Sequence, residues 1–260
     1  MSKNYWADRM ARSQNKITNK SVRAIKTQMR KYYGKTMDYV IKDFELTYEK
    51  ILNAMEEGKQ PTPADLYKLD KYWQMQGAMR NELQKLGDKQ ISLLSKQFEL
   101  NFFDVYYSIG MPGLEAFNTL DSAMVQHMLS EVWVADGKSW SKRIWENTEL
   151  LAETLNEELI NCVVSGAKTS DLKKKLQERF SVSYSNADML ARTELAHIQT
   201  QAAQQRYKDY GVQEVEVWAD EDERRCEVCG KLHQKRFPAN QKPPVPAHPR
   251  CRCCILPVIE

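Results

Sequence analysis

Five of the six cysteines of this 260-residue chain, and two of its four histidines, fall within residues 226–254. The stretch reads Cys-Glu-Val-Cys-Gly-Lys-Leu-His, then a proline-rich run, then Ala-His-Pro-Arg-Cys-Arg-Cys-Cys. It is too short and too polar to bury a core of its own, so its own chemistry has to hold it together. A tetrahedral structural zinc site takes four thiolate or imidazole ligands, commonly as two short pairs that each grip the ion from one turn. Cys226 and Cys229 make the first pair, at the spacing of a zinc knuckle with Gly230 behind it, and His248 and Cys251 make the second. The expected ligands are therefore Cys226, Cys229, His248 and Cys251, with Cys253 as the substitute should Cys251 point away. A bound zinc would supply on the order of 10 kcal/mol of folding free energy to this segment. The competing reading treats the cysteines as small hydrophobes or a redox relay. The gap over residues 230–247 matches no single zinc-finger class, and His233 inside it reads as a solvated surface histidine.

Composition narrows the class. A 42% hydrophobic content is ample for a core, and no apolar run approaches the length of a membrane span. The N-terminus is basic and polar, without the apolar centre of a signal peptide. Cysteines gathered at one end fit a reducing cytoplasm better than a disulfide framework, and Cys162 reads as buried packing. The net charge of +3 conceals an uneven distribution: residues 1–35 carry ten Lys or Arg against the single acid Asp8. Of these, Arg9, Arg12, Lys16, Lys20, Arg23, Lys26, Arg30 and Lys31 are the candidate contacts to DNA or to an acidic protein surface. A solvated helix face is the alternative.

Hydrophobic periodicity predicts a mainly α fold. One long helix is expected from about Ser21, interrupted near Gly34 and ended by Gly58 and Pro61. Thr62, Pro63 and Asp65 read as the N-cap and first turn of a second helix running to about Gly87. A third is expected from about Asp88 to Gly110, its aromatic stripe (Phe98, Phe102, Phe103, Tyr106) read as core. Further helices are expected at 121–133, with His127 partly buried, after Ser139 up to Gly166, after Ser170, and from Ser185 to Tyr210. Val212, Val215, Val217 and Trp218 then give the first strand signal, with 234–237 and 253–258 as further strand candidates. The expected architecture is an extended multi-helix N-terminal region, 1–184, carrying the basic arm. A small α+β C-terminal module, 185–260, follows, clipped by the Cys/His metal site.

Several motifs in this order resemble the phage head morphogenesis family, the Mu F-like minor capsid proteins. They are Ala191-Arg192-Thr193-Glu194, then Trp218 leading into Asp222-Glu223-Arg224-Arg225-Cys226-x-x-Cys229, and Pro243-Pro244 with His248-Pro249-x-Cys251-Arg252-Cys253. Tyr5-Trp6-x-x-Arg9 and the stretch from Trp133 through Asp136-Gly137 to Trp145 are similar to the Gram-positive branch. This sequence has Arg225 where such proteins carry Thr, and His233-Gln234 where they carry Asp-Gly, so the turn after the knuckle is expected to differ. The resemblance implies a non-enzymatic structural protein of a tailed-phage virion, located inside the head at the portal vertex and in the host cytoplasm during assembly. It would act in head assembly and in DNA packaging or delivery. Its implied partners are the portal protein, scaffold or major capsid protein, and packaged DNA, with no membrane.

Arg192 and Glu194 stand two apart on a helix and point in different directions, so they cannot pair with each other. Both are read, with Asp222 and Arg252, as structural motif residues that dock the C-terminal module: Glu194 on a knuckle backbone donor or Arg252, Arg192 on Asp220 or Asp222. The alternatives in other classes are a zinc-stabilised DNA-binding protein and an HNH-like nuclease. The latter needs a histidine base beside a second metal-binding group, and His248 is the sole candidate.

Overall fold

The computed structural model describes residues 3–54, 61–111, 120–219 and 225–259. It is mainly helical, with a small three-stranded antiparallel sheet near the C-terminus, as the periodicity predicts. The helices are α1 (Lys3–Ala54), α2 (Pro63–Tyr67), α3 (Asp70–Ser108), α4 (Ser122–Ser130), α5 (Trp140–Ser165), α6 (Thr169–Asp209) and α7 (Glu227–Leu232). The strands are β1 (Glu214–Trp218), β2 (Arg236–Pro238) and β3 (Cys254–Pro257).

Three expected breaks are absent, each for a physical reason. Helix α1 begins at Lys3 and runs through Gly34 without interruption. One glycine costs a helix about 1 kcal/mol, less than the burial of Tyr33 and Thr36 on either side contributes. The expected second and third helices are largely one: after the short α2, α3 continues through Gly87. A Cβ on Gly87 would meet the Trp145 ring, so this glycine serves close packing and not termination. The expected boundary between Ser170 and Ser185 disappears into the 41-residue α6. Ser183 is buried there, and its hydroxyl lies 3.1 Å from Tyr33 Oη, where it no longer competes for its own backbone. Other signals hold. The Asp65 carboxylate accepts from both the Thr62 N–H (3.1 Å) and hydroxyl (2.6 Å) at the start of α2, and Asp121 caps α4. Gly166 and Gly211 close α5 and α6 at positive φ. Residues 55–60, expected to hold the end of the first helix, lie outside the described residues. His127, expected to be partly buried, is exposed.

The described chain forms two compact units. The second comprises Thr27–Ser92 and Ser141–Ala187. Its core includes Val40, Phe44, Tyr48, Met79, Leu83, Leu155, Leu159 and Leu176, all essentially inaccessible. Within it Tyr48 donates to the Ala167 carbonyl at 2.7 Å, and Asn147 donates to the Ser183 carbonyl at 3.0 Å. Glu158, nearly buried, is paired with Arg179 and with Lys175 at 3.2 Å. Cys162 is fully buried.

The first unit comprises Met1–Lys26, Leu93–Trp140 and Asp188–Glu260, and holds the sheet. Strand order is β2-β1-β3, with Val215 opposite Phe237 and Val217 opposite Ile255. Alternation places Val215 and Val217 inward and leaves Glu214 exposed. Ala11 joins Trp218, Cys254 and Leu256 in one buried cluster, with Ala7 and Met10 packed against it. The N-terminal residues are therefore an integral helix of this unit, docked on its sheet, while Tyr5 and Trp6 stay exposed. The fully buried Tyr207 of α6 ties the two together: its hydroxyl donates to the Ile255 carbonyl (3.0 Å) and accepts from Gln14 Nε2 (3.0 Å). Phe98, Phe102 and Tyr106 of the aromatic stripe are buried core.

Candidate metal centre

The knuckle is built on the first turn of α7. Cys226 is its N-cap, and its sulfur accepts from the Cys229 N–H at 3.4 Å while its carbonyl accepts from Gly230. That arrangement turns both Sγ atoms to one side, which is what a two-residue spacing at a helix start does. The second half of the site is a turn in which the Cys251 N–H donates to the His248 carbonyl. His248 Nδ1 lies 2.8 Å from the Pro249 carbonyl, so the proton sits on Nδ1 and the Nε2 lone pair is free to bind. Nε2 stands 3.2 Å from Cys226 Sγ and 3.1 Å from Cys229 Sγ, and Cys229 Sγ stands 3.7 Å from Cys251 Sγ.

All five sequence-predicted donors come together here. They form two overlapping groups, Cys226–Cys229–His248 and Cys229–Cys251–Cys253, each with donor atoms within 4.8 Å of one another and both sharing Cys229. A tetrahedral ion with bonds near 2.3 Å to sulfur and 2.0 Å to nitrogen sets its donors about 3.5–3.8 Å apart. Within each group of three the donors are close enough to share one ion, and the cluster can hold a metal. A small pocket at the site is lined also by Ala219, Arg225, Arg250 and Arg252, whose positive charge favours thiolates.

The thiols are not equivalent. A hydrogen bond from Cys253 is the main cause that brings the Cys251 thiol down to about 5, and the same bond pushes Cys253 up. Burial pushes Cys229 up to about 12, whereas the Cys229 backbone N–H lowers Cys226. Burial works against protonated His248, but the Pro249 carbonyl and the neighbouring thiols outweigh it and raise its pKa.

Helix α6 holds the second half of the site in place. Thr193 Oγ1 accepts from the Arg250 N–H at 3.1 Å, and Asp188 stands 4.0 Å from the Arg250 guanidinium. Arg250 has φ 61°, a strained setting for a side-chain-bearing residue, so this hydrogen bond fixes a conformation the chain would otherwise avoid. Arg192 pairs with Asp188 one turn back on its own helix, at 3.2 Å. Glu194, buried, accepts from the Trp133 indole at 2.9 Å. Asp220 and Asp222 lie outside the described residues. Arg252 lines the pocket. Sequence reasoning quoted Thr193 without giving it a role and missed Asp188; a hydroxyl lying between two charged residues carries no pattern of its own.

His233 does not join either donor group. Contrary to the expected solvated side chain, it is half-buried: Nδ1 accepts from the Ala219 N–H at 3.1 Å and the ring stands edge-on to Trp218. Gln234 beside it has φ 60°. An L-residue in that region costs about 1–2 kcal/mol, and glycine costs part of that back through unfolded-state entropy. Gln234→Gly should therefore raise stability by about 0.5 kcal/mol, measured as a rise in the urea midpoint at unchanged slope; a fall would remove the strain argument.

A second buried group lies on the same helix. His197 stacks on Trp133 with ring centroids 4.3 Å apart, and burial, followed by the charge of Lys242, lowers its pKa from 6.5 to about 4. The unfolded chain thus takes up the proton first as pH falls. The stability is whole above pH 6.5 and is lost on descent toward 4. Between pH 7 and pH 5 the loss from this group should be about 2 kcal/mol. His197→Gln should flatten that part of the pH dependence; identical pH profiles for the two proteins would rule the assignment out.

Residues 153–256 match the family described as Phage Mu protein F like protein. The resemblance read from the motifs is borne out over that stretch, which takes in α6, the sheet and every residue of the metal cluster; Tyr5-Trp6-x-x-Arg9 lies outside it. Among curated proteins, none matches the chain.

Proposed function

With residues 153–256 matching the phage Mu F-like family, we propose that this chain is a structural minor component of a tailed-phage head, associated with the portal vertex inside the capsid. The match is the observation that carries the reading. The fold supports it, since most of the described chain is helix presenting long solvent faces, and no helix among the described residues is long and apolar enough to cross a membrane. A role in head assembly and in DNA packaging or delivery belongs to the same proposal.

In this reading zinc is held by Cys226, Cys229, His248 and Cys251, while Cys253 donates its proton to the Cys251 sulfur. When bound, the ion supplies folding free energy to a segment that has little apolar burial of its own. The His248 ring supports a structural over an HNH-like role: Nε2 is turned into the thiols and Nδ1 to the Pro249 carbonyl, so both nitrogens are already engaged. The test is capture of the portal protein encoded in the same genome by the purified chain, together with its detection in procapsids. Portal binding and incorporation are expected; a chain that assembles into no particle and retains no portal protein would end the proposal.

A further inference from the structure

From the solvent face of α1, we infer that its N-terminal half is a binding surface for the phosphate backbone of duplex DNA. Arg9, Arg12, Lys16, Lys20 and Arg23 follow one another at steps of three and four residues, which sets them on a single face of the helix. All five are exposed. The face cannot turn inward, because the opposite one is committed: Ala11, Gln14, Thr18, Ser21, Val22 and Ile25 are buried.

Two observations choose the partner. First, the stripe is locally basic. Asp8 is the one acid in residues 1–35, and among the described residues no carboxylate pairs with Arg12, Lys16 or Lys20. Ten basic residues lie in that stretch, so the remainder of a chain of net charge +3 is net acidic, and the cations are concentrated here. Second, between residues 9 and 26 the other exposed side chains are Ser13, Asn19 and Ala24. A protein partner is normally held by aromatic or large aliphatic anchors in a face depleted of lysine. Between Arg12 and Lys26 this face has no such anchor, and the exposed Trp6 at its start lies under the Arg9 guanidinium, 5.5 Å from ring centroid to carbon. It offers long cationic side chains over small neighbours, which suits a polyanion read by charge and not by sequence. At 1.5 Å per residue Arg9 and Arg23 lie about 21 Å apart along the helix, the length of about six base pairs.

The experiment is fluorescence anisotropy of the full chain with 30-base-pair duplexes of two unrelated sequences, across a salt series. With five phosphates neutralised, the logarithm of affinity should fall against the logarithm of salt with a slope near −4.5, equally for both sequences. Arg12→Gln/Lys16→Gln/Lys20→Gln/Arg23→Gln should bind at least tenfold more weakly with a much shallower slope, its helical circular dichroism unchanged. The milder Lys16→Gln/Lys20→Gln should fall between, and Lys208→Gln/Lys235→Gln, elsewhere on the first unit, should bind as the parent does. Poly-L-glutamate at equal charge should compete poorly. The inference is overturned if the parent does not bind duplex at low salt, if the fourfold variant binds it unchanged, or if polyglutamate competes as well as DNA, which would assign the stripe to an acidic protein. The inference rests on the stripe and not on the head role: absence of the chain from particles would end that role and leave binding in solution unchanged.

Discussion

Replacing Cys229 by serine should abolish metal binding and release the segment from α7 to the His248–Cys251 turn as a protease-sensitive chain. Among the described residues Cys229 is the side chain common to both donor groups, so its loss leaves neither group intact. A structural zinc contributes about 10 kcal/mol to a segment of this kind, more than the whole margin of many domains. The measurement is metal content by elemental analysis, with limited proteolysis of the parent, the variant and the chelator-treated parent. Cleavage confined to the C-terminal segment is expected in the last two. Cys253→Ser provides the contrast: it should keep one metal per chain, since Cys253 is not among the four proposed ligands. If Cys229→Ser loses the ion yet resists protease as the parent does, the cluster is packing and the clip is gone from the account.

The second large effect is expected at Tyr207. Tyr207→Phe removes one hydroxyl in a fully buried place where it serves two elements, donating to Ile255 of β3 and accepting from Gln14 of α1. The Gln14 Oε1 atom already has no partner among the described residues, so losing the phenol leaves that amide with nothing to bond. Stranding a buried amide and weakening the carbonyl should cost about 3 kcal/mol. Urea unfolding should show it as a lowered midpoint with an unchanged slope, and a loss under about 1 kcal/mol would mean that water takes the place of the hydroxyl.

The gathering of the thiols and His248 was legible because residues suited to a metal leave a pattern of type and spacing that survives without knowledge of the fold. Thiols and a histidine at paired two-residue gaps need only a local turn to face one another. The terminators were legible where glycine takes positive φ, at Gly166 and Gly211. They misled where glycine or serine served a neighbour: Gly87 accommodates Trp145 and Ser183 faces Tyr33, partners 58 and 150 positions away that no local window includes. The same limit hid Thr193. Its hydroxyl matters because Arg250, 57 positions on, needs an acceptor, and that need is set by a backbone angle. The half-buried His233 likewise follows from β1, which delivers the Ala219 N–H to its ring.

The docking of α1 on the sheet has a consequence for biogenesis. Gln14 and Tyr207 are 193 positions apart, and Trp218, Cys254 and Leu256, which cover Ala7, Met10 and Ala11, come later still. A ribosome therefore completes the basic helix long before it makes the surface that helix rests on. During that interval α1 can acquire its hydrogen-bonded turns but not its partner, and closure waits on a contact of high sequence separation, the slow kind. The apolar edge of α1 is then open to other molecules for most of translation, with the cationic face beside it. Severing residues 185–260 from the rest would make that interval permanent for both fragments.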